Sequence, residues 1–301
     1  CDRLLHLFTL TEIAETMRIV RVYAKSIERS YWPGPDVRFQ RDYKIDPRLC
    51  QYALHEQVKS EDDNLYKTFQ DVSESLRDAG VRKDMAAERM KLHKQLNQVR
   101  EVKDALSKKL LKQADVIFTT CDCAANDKLL ERMTYPAVVI DEAAQAVEFE
   151  LASCCVLAED HLALFGDHQQ LGPVLTESTI FPAFKRMITR SLFERVVSKR
   201  RDQSSSSGIP HVTLKRQYRM HPSISFFTSD EFYDNELVDA METKRDGYTL
   251  PSASDSRLVV VDVTGPHGRR SVAPEGDAVL DYEHSLCNPS EAAVVVEYVQ
   301  W

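Results

Sequence analysis

Long stretches of the chain repeat apolar residues at helical spacing. From 61 to 113 apolar positions recur every three, four or seven residues, with one glycine, Gly80, and no proline. This spacing predicts two long antiparallel helices that turn near Gly80, preceded by a helical stretch from about Leu49. The start of the chain, as far as Val20, follows mostly helical spacing and predicts a helix. Prolines and a glycine between Ser30 and Pro47 predict an irregular connection.

Short apolar runs of a different kind follow this helical region. They lie at 114–120, 137–140 and 162–165 and are nearly all apolar rather than alternating. Such runs predict strands buried on both faces of a parallel sheet that is flanked by helices. A serine-rich loop at 204–208 is a candidate domain boundary, and a short strand is predicted after it at Val212–Leu214. Later segments predict a strand at 258–263, a helix that begins at Asn288, and loops at 241–256 and 265–285.

The composition fits a globular protein. The 301 residues are 43% hydrophobic and 29% charged, which is enough to bury one large core or two smaller ones. No apolar run approaches the roughly 20 residues needed to span a bilayer, so we expect no membrane association. The seven cysteines include no C-x-x-C pair, which favours reduced thiols over a disulfide framework or a zinc site.

Charge is unevenly distributed along the two long helices. Residues 61–80 carry six acids and two bases, a net charge of −4, whereas residues 81–113 carry ten bases and four acids, a net charge of +6. Two interpretations are open. The basic helix can face its acidic neighbour and solvent, as exposed charge rows usually do. It can also lie beside a nucleic-acid path, because phosphate contacts need lysines and arginines without intramolecular partners.

Polar residues follow the apolar runs where ligands bind in parallel sheets, at the carboxyl ends of the strands. Asp141 and Glu142 come directly after the run at 137–140. Asp141 is suited to orient hydrated Mg²⁺, and Glu142 is then available as the base that activates a water for attack on a γ-phosphate. The alternative is a solvated strand end or a helix cap.

A second polar segment, Gly166–Pro173, follows the apolar run at 162–165, and a third runs from Gln217 to Pro222. Arg219 is always charged and can neutralise a transferring phosphoryl group, and the ring of Tyr218 can stack on a base. Taken alone, Arg219 would be interpreted as a surface ion-pair residue. The segment therefore indicates a nucleotide-binding role only when it is considered together with the acidic pair.

The three segments together resemble a known family. In the same order, they are similar to the second, third and fourth motifs of superfamily 1 helicases. Three further segments resemble the nonsense-mediated-decay RNA helicase branch of that superfamily. The segments that carry the resemblance are Asp141–Gln145, Gly166–Pro173, Gln217–Pro222, Val20–Ser26, Ala53–Gln57 and Asn288–Ala293.

The resemblance implies an α/β architecture with RecA-like parallel sheets. Residues 1–45 and 114–203 would form the first RecA-like domain, 46–113 a helical hairpin insertion, and 204–301 the first part of a second RecA-like domain. It also implies a nucleotide held between the two domains. The fold class expected is therefore a RecA-like sheet domain with a helical insertion, followed by part of a second one.

The resemblance also implies a function. The chain is expected to be part of an ATP-dependent RNA helicase that couples ATP hydrolysis to movement on, or unwinding of, nucleic acid in RNA surveillance and mRNA decay. Implied ligands and partners are ATP, Mg²⁺, single-stranded nucleic acid with RNA favoured over DNA, and mRNA-decay proteins. The implied location is the cytoplasm, with the nucleus also open. Two alternatives remain: an ATP-dependent DNA helicase of the same superfamily, and a truncated, non-catalytic paralogue that acts as a nucleic-acid-binding or scaffold module.

Site residues carry over motif by motif. Asp141 matches the metal-associated aspartate, which holds Mg²⁺ through water, and Glu142 matches the catalytic glutamate. Gln170 matches the glutamine that senses the γ-phosphate. In the second domain, Tyr218 matches the residue that packs on adenine, and Arg219 matches an arginine finger. The residues that resemble a nucleic-acid backbone contact are Thr119, Thr120 and Cys121.

The sequence also departs from the family pattern. The phosphate-binding loop G-x-x-x-x-G-K-S/T is not found, since none of the nine glycines is followed by lysine, and the fifth and sixth helicase motifs are not found either. The chain therefore looks like a fragment of such a helicase. Without the amides and lysine of that loop, most of the triphosphate charge has no protein partner. We expect the 301-residue chain alone to hydrolyse no ATP.

Overall fold

The computed structural model describes residues 1–35, 45–81, 86–130, 133–174, 189–201, 209–241 and 295–296. The chain divides into two compact units, Cys1–Ser207 and Gly208–Trp301. The predicted strand at 258–263 and the start of the predicted helix at Asn288 lie outside the described residues, as do nearly all of the loops predicted at 241–256 and 265–285. The finer domain boundaries, 1–45 with 114–203, 46–113 and 204–301, stay predictions.

The first unit begins with helix α1, Asp2–Thr9, followed by a 3₁₀ turn at Glu12–Thr16. The helix predicted as far as Val20 is wrong beyond this turn. Val20 lies in a buried strand instead, β1, Ile19–Arg21, which pairs in parallel with β2, Val116–Phe118. Adjacent β-branched residues, Ile19 and Val20, favour the extended strand over a helix.

The helical region consists of short helices followed by two long ones. They are α2, Lys25–Tyr31; α3, Leu54–Glu61, after a 3₁₀ turn at Cys50–Tyr52; α4, Asp63–Val81; and α5, Ala86–Gln113. The prediction of two long helices is confirmed, with Gly80 in the last turn of α4. Their apolar stripes pack together in one buried cluster with Val20 and Leu54.

Trp32 belongs to this cluster and links the end of α2 to α4. Only 4% of its surface is exposed. Its ring packs edge-on against Tyr66 and Phe69, with centroids 4.9 and 5.2 Å away, and the Lys103 ammonium lies 4.9 Å from the ring centroid. These contacts join the helical hairpin to the rest of the unit.

The strands nearest the predicted acidic pair are also parallel. Strand β3, Tyr135–Ile140, pairs with β4, Ala158–Leu164, and helix α7, Glu148–Cys155, connects them. Helix α6, Cys121–Asn126, precedes β3, and α8, Leu192–Arg201, follows β4. The predicted parallel pairing is confirmed.

The predicted burial of these strands on both faces is wrong for the part of the chain that the structure describes. Val138 and Ile140 pack toward α6, α7 and α8, but Val139 on the opposite face is 67% exposed. Instead of one sheet, the described strands form three separate parallel pairs, β1 with β2, β3 with β4, and β5 with β6. An apolar run indicates a strand but does not say what covers each of its faces.

The described residues of the second unit include a small pair of parallel strands and the helix that connects them. Strand β5, Arg216–Gln217, pairs with β6, Val238–Asp239, and helix α9, Pro222–Phe232, connects them. The strand predicted at Val212–Leu214 is wrong, because that segment meets no partner strand among the described residues and its apolar side chains are exposed. Among the helices that the structure describes, none is both long and apolar enough to cross a membrane.

Candidate functional site

Two backbone hydrogen bonds bring together the segments that follow β3 and β4. The Phe165 amide donates to the Ile140 carbonyl oxygen at 2.8 Å, and the Ala143 amide donates to the Phe165 carbonyl oxygen at 2.8 Å. Because Ile140 and Leu164 are register partners in parallel strands, both segments leave the same end of the pair. Asp141 and Glu142 are thereby held beside the loop that begins at Gly166.

Gly166 allows this close approach. A Cβ at this position would lie 2.9 Å from the amide nitrogen of Ala144 and 3.2 Å from that of Ala143. Contacts under 3.0 Å require something to shift, and here the neighbours are backbone atoms, which move less easily than the ends of side chains. The two loops therefore fit together only when residue 166 has no side chain.

Glu142 has a left-handed backbone, with φ of 55°. A non-glycine residue is uncommon in this region, and strained residues of this kind cluster at functional sites. The exposed Glu142 carboxylate accepts a hydrogen bond from Gln145 Nε2 at 3.1 Å. The first helix after β3 is capped at Val147, so neither acid caps α7. Asp141 is exposed and has no ion pair or side-chain hydrogen bond within the described ranges.

Asp167 organises the loop after β4. Its Oδ1 accepts the Gln169 amide at 3.0 Å, and its Oδ2 accepts Gln170 Nε2 at 2.9 Å. The exposed Gln170 side chain is thus held by an aspartate to which sequence reasoning gave no role. The sequence contained a signal for this role, since an aspartate whose carboxylate accepts the backbone amide two residues later is a common turn pattern.

Gln217 plays a similar part in the second unit. Its Oε1 accepts the amides of Arg219 and Met220 at 2.9 and 2.8 Å, and its Nε2 donates to the Met220 carbonyl oxygen at 2.7 Å and to Asp239 Oδ1 at 2.5 Å. This network shapes the turn that carries Tyr218 and Arg219. The sequence placed Gln217 within a motif but did not indicate that its side chain would hold the backbone of the turn.

Tyr218 and Arg219 are both exposed on this turn. Among the residues that the structure describes, no acidic side chain pairs with Arg219. The ion-pair interpretation of Arg219 therefore finds no support in the described residues. His221 caps the following helix through its ring nitrogen, with Pro222 at the first helical position, so α9 begins directly after the turn.

The strand-end segment after β2 is only partly available to a ligand. The Thr120 hydroxyl caps α6 by accepting the Cys123 amide at 3.3 Å. The Thr119 hydroxyl is buried and has no hydrogen-bond partner among the described residues, and the Thr119 carbonyl oxygen accepts the Cys1 thiol at 3.3 Å. A nucleic-acid contact would therefore fall to the exposed Thr120 and the half-buried Cys121.

Within the described residues, the basic side chains of α5 form no ion pairs with the acidic side chains of α4. The pair found in α4 is internal, between Lys67 and Asp63. Three exposed lysines, Lys108, Lys109 and Lys112, line a shallow groove at the end of α5 together with Ala105 and Gln113. The basic residues at the end of α5 therefore face solvent, which both interpretations of the charge pattern allow.

Comparison with known proteins places the chain in a family. Residues 1–178 match a family described as AAA domain, and residues 188–301 match a second family of the same description. The chain is 31% identical over 267 residues to the Regulator of nonsense transcripts 1 homolog of Drosophila melanogaster, covering 88% of this chain and 19% of that protein. The chain belongs to the nonsense-mediated-decay type of superfamily 1 helicases.

Other relatives of the helicase family agree. The chain is 32% identical over 227 residues to ATP-dependent helicase upf1 of Schizosaccharomyces pombe, covering 75% of this chain and 20% of that protein. It is 38% identical over 138 residues to Regulator of nonsense transcripts 1 of Dictyostelium discoideum, covering 46% of this chain and 10% of that protein. The chain spans about a fifth of the first two relatives. The resemblance and the RecA-like α/β fold class are confirmed.

Helicases of this family use a nucleotide, typically with Mg²⁺, and the strand-end residues fit that use. Asp141 offers exposed carboxylate oxygens, which are the hard ligands that Mg²⁺ prefers, and Mg²⁺ commonly keeps several waters. Among the described residues, no group of three or more potential ligands could enclose a metal ion. The chain therefore fits a hydrated ion oriented by one carboxylate rather than a protein cage.

Proposed function

We propose that this chain is part of an ATP-dependent RNA helicase that couples ATP hydrolysis to movement on, or unwinding of, single-stranded nucleic acid. The observation that carries the proposal is the strand-end geometry. In a chain of this helicase family, two 2.8 Å backbone hydrogen bonds hold Asp141 and Glu142 beside the Gly166–Gln170 loop. The names of the relatives point to RNA surveillance and mRNA decay as the setting.

The site residues of the first unit would have distinct roles in ATP hydrolysis. Bound MgATP would supply the γ-phosphate and a cation that offsets its charge. Asp141 would hold Mg²⁺ through water, and Glu142 would take the proton of the attacking water. Gln145 restrains the Glu142 carboxylate, and Asp167 restrains the side chain of Gln170, which would sense the γ-phosphate. Positioning of this kind supplies most of the catalysis in phosphoryl transfer.

The second unit would contribute a stacking ring and a positive charge. Tyr218 packs on the adenine, and Arg219 neutralises charge that develops on the transferring phosphoryl group. The Gln217 network supports this proposal, since it fixes the backbone of the turn while leaving both side chains exposed. The absence of an acidic partner for Arg219 among the described residues also leaves its charge available.

Nucleic acid would contact the segment after β2 and the basic face of α5. Thr120 and Cys121 form the first region, and the lysines at the end of α5 form the second. RNA is the proposed substrate because the name of the Drosophila relative refers to nonsense transcripts, which are RNA. Partners would include mRNA-decay proteins, and the proposed location is the cytoplasm, with the nucleus second.

The decisive experiment measures ATP hydrolysis with and without single-stranded RNA, using the full-length protein that carries this chain. We expect RNA to stimulate turnover and Glu142→Gln to lower it by about 10²–10⁴-fold while RNA binding is retained. Glu150→Gln, on the nearby helix α7, is the matched control and should remain active. RNA-stimulated turnover that survives Glu142→Gln would contradict the proposed role.

Two further measurements test the alternative functions and the expected inactivity of the chain by itself. Single-stranded DNA of the same base sequence replaces RNA, and stronger stimulation by DNA would favour a DNA helicase. The 301-residue chain is also assayed by itself and is expected to bind RNA without hydrolysing ATP, since no glycine in it precedes a lysine. Turnover by this chain would contradict that expectation.

A further inference from the structure

Two cysteines face each other where α6 packs against α7. Cys121 is the first residue of α6, and Cys154 lies near the end of α7. The Cys154 thiol lies 3.5 Å from the Cys121 carbonyl oxygen, to which it donates. Cys154 is buried and Cys121 is half-buried, so the two residues differ in their access to solvent.

We propose that Cys121 and Cys154 form a peroxide-reactive dithiol, in which Cys121 attacks the peroxide and Cys154 closes an intramolecular disulfide. This inference goes beyond the proposed helicase function and does not depend on it. It rests on the packing of α6 against α7, on the contact between the two residues and on their unequal exposure. Low-pKa, accessible cysteines next to a resolving cysteine are the usual sites of reversible oxidation.

The pKa values of the two thiols indicate which cysteine attacks the peroxide and which one closes the disulfide. When Cys121 is a thiolate, the Cys154 thiol can donate to its sulfur instead of to the carbonyl oxygen, and this side-chain hydrogen bond lowers the pKa of Cys121 to about 7, against the opposing effects of burial and of the Glu150 charge. The same hydrogen bond and burial raise the pKa of Cys154, so that thiol stays protonated. Because the thiolate is the nucleophile, Cys121 reacts first.

The other nearby thiols are less suited to attack. Burial raises the pKa of Cys155, the neighbour of Cys154, and burial also raises the pKa of Cys50 elsewhere in the unit. Cys123 is buried. A metal site is not the better explanation, since within the described ranges these cysteines join no group of three ligands that could hold an ion.

The chemistry balances with hydrogen peroxide as the oxidant. The Cys121 thiolate attacks one peroxide oxygen, the O–O bond breaks, and the departing hydroxide takes up a proton to leave as water. Cys121 is then a sulfenic acid. The Cys154 sulfur attacks that sulfur and loses its proton, a second water leaves, and the S–S bond forms. Two thiols are oxidised by two electrons, and one peroxide is reduced to two waters.

The test uses the reduced 301-residue chain exposed to hydrogen peroxide at pH 7. Unreacted thiols are blocked with N-ethylmaleimide, and the digest is sequenced by tandem mass spectrometry to locate each cross-link. We expect a Cys121–Cys154 disulfide within one molecule. Cys121 should be oxidised at least about threefold faster than Cys50, because its larger thiolate fraction outweighs its lower intrinsic nucleophilicity.

Variants separate the two roles. Cys154→Ala should prevent the disulfide and leave Cys121 as a sulfenic acid that dimedone traps, whereas Cys121→Ser should prevent both products. Cys123→Ser and Cys155→Ser are matched controls that should keep the disulfide. Circular dichroism checks that each variant is folded, and the half-exposed Cys121→Ser variant still tests the pair if Cys154→Ala is unstable. A cross-link through Cys123 or Cys155, or equal oxidation of Cys121 and Cys50, would overturn the proposal.

Discussion

Gly166 lies so close to Ala144 that a Cβ at position 166 would come within 2.9 Å of the Ala144 amide nitrogen. This contact, with the hydrogen bond from Ala143 to Phe165, sets the spacing between the acidic pair and the loop that carries Gln170. The geometry of the site thus depends on an uncharged residue that takes no part in the chemistry.

We expect Gly166→Ala to destabilise the first unit. The added methyl meets backbone atoms, and overpacking of this kind typically costs about 1–3 kcal/mol. Gly172→Ala is the matched control, because a Cβ there would lie 3.8 Å from its nearest neighbour, the Thr189 carbonyl oxygen. Urea unfolding of both variants compares the two sites. Equal stability of the two variants would show that the β3 and β4 loops separate without cost.

Glu142→Gly is expected to stabilise the fold while removing the proposed base. A non-glycine residue at φ of 55° is disfavoured by about 1 kcal/mol or more, and glycine relieves this strain. Asp141→Gly, where the backbone φ is not positive, should give no such gain. Chemical denaturation measures both variants. A loss of stability at 142 as large as that at 141 would mean that Glu142 is not strained.

Much of the strand-end site could be predicted from the sequence, because the carboxyl ends of parallel strands meet wherever the strands pair. Asp141 and Gly166 followed apolar runs, so their proximity needed only that rule. The roles of Asp167 and Gln217 could not be predicted, since they depend on which backbone amides each turn presents. The exposure of Val139 and of Val212 was missed for another reason. Apolar character shows that a residue can be buried, not that a neighbouring element covers it.

Trp32→Ala should lower the stability of the first unit more than a substitution of an exposed aromatic residue. Deleting a buried aromatic side chain of this size costs about 3–5 kcal/mol, and here it also removes the contacts with Tyr66 and Phe69. Phe149→Ala is the control, since that side chain is 65% exposed and should change stability by less than about 0.5 kcal/mol. Thermal or urea unfolding distinguishes them. Similar losses for both would exclude Trp32 as the link between α2 and α4.

Replacing Lys108, Lys109 and Lys112 together with glutamine should weaken binding of single-stranded RNA. Each phosphate contact contributes about 0.7 to the slope of log affinity against log salt, so we expect the slope to fall by about 2. Lys67→Gln is the control, because its ammonium already lies 2.6 Å from Asp63. Fluorescence anisotropy at several salt concentrations gives both slopes. An unchanged slope for the triple variant would place the RNA away from this end of α5.

The reactivity of Cys121 should rise with pH around a midpoint of about 7, the pKa set by the hydrogen bond from Cys154. The bond favours the thiolate, so removing it in Cys154→Ala must raise the pKa, and the midpoint should move toward the ordinary cysteine value of about 8.5. Iodoacetamide labelling of Cys121 between pH 5 and pH 10 follows the midpoint without any oxidant. Cys155→Ala, which keeps the bond, should leave the midpoint near 7. A midpoint that stays near 7 in Cys154→Ala would show that another group stabilises the Cys121 thiolate.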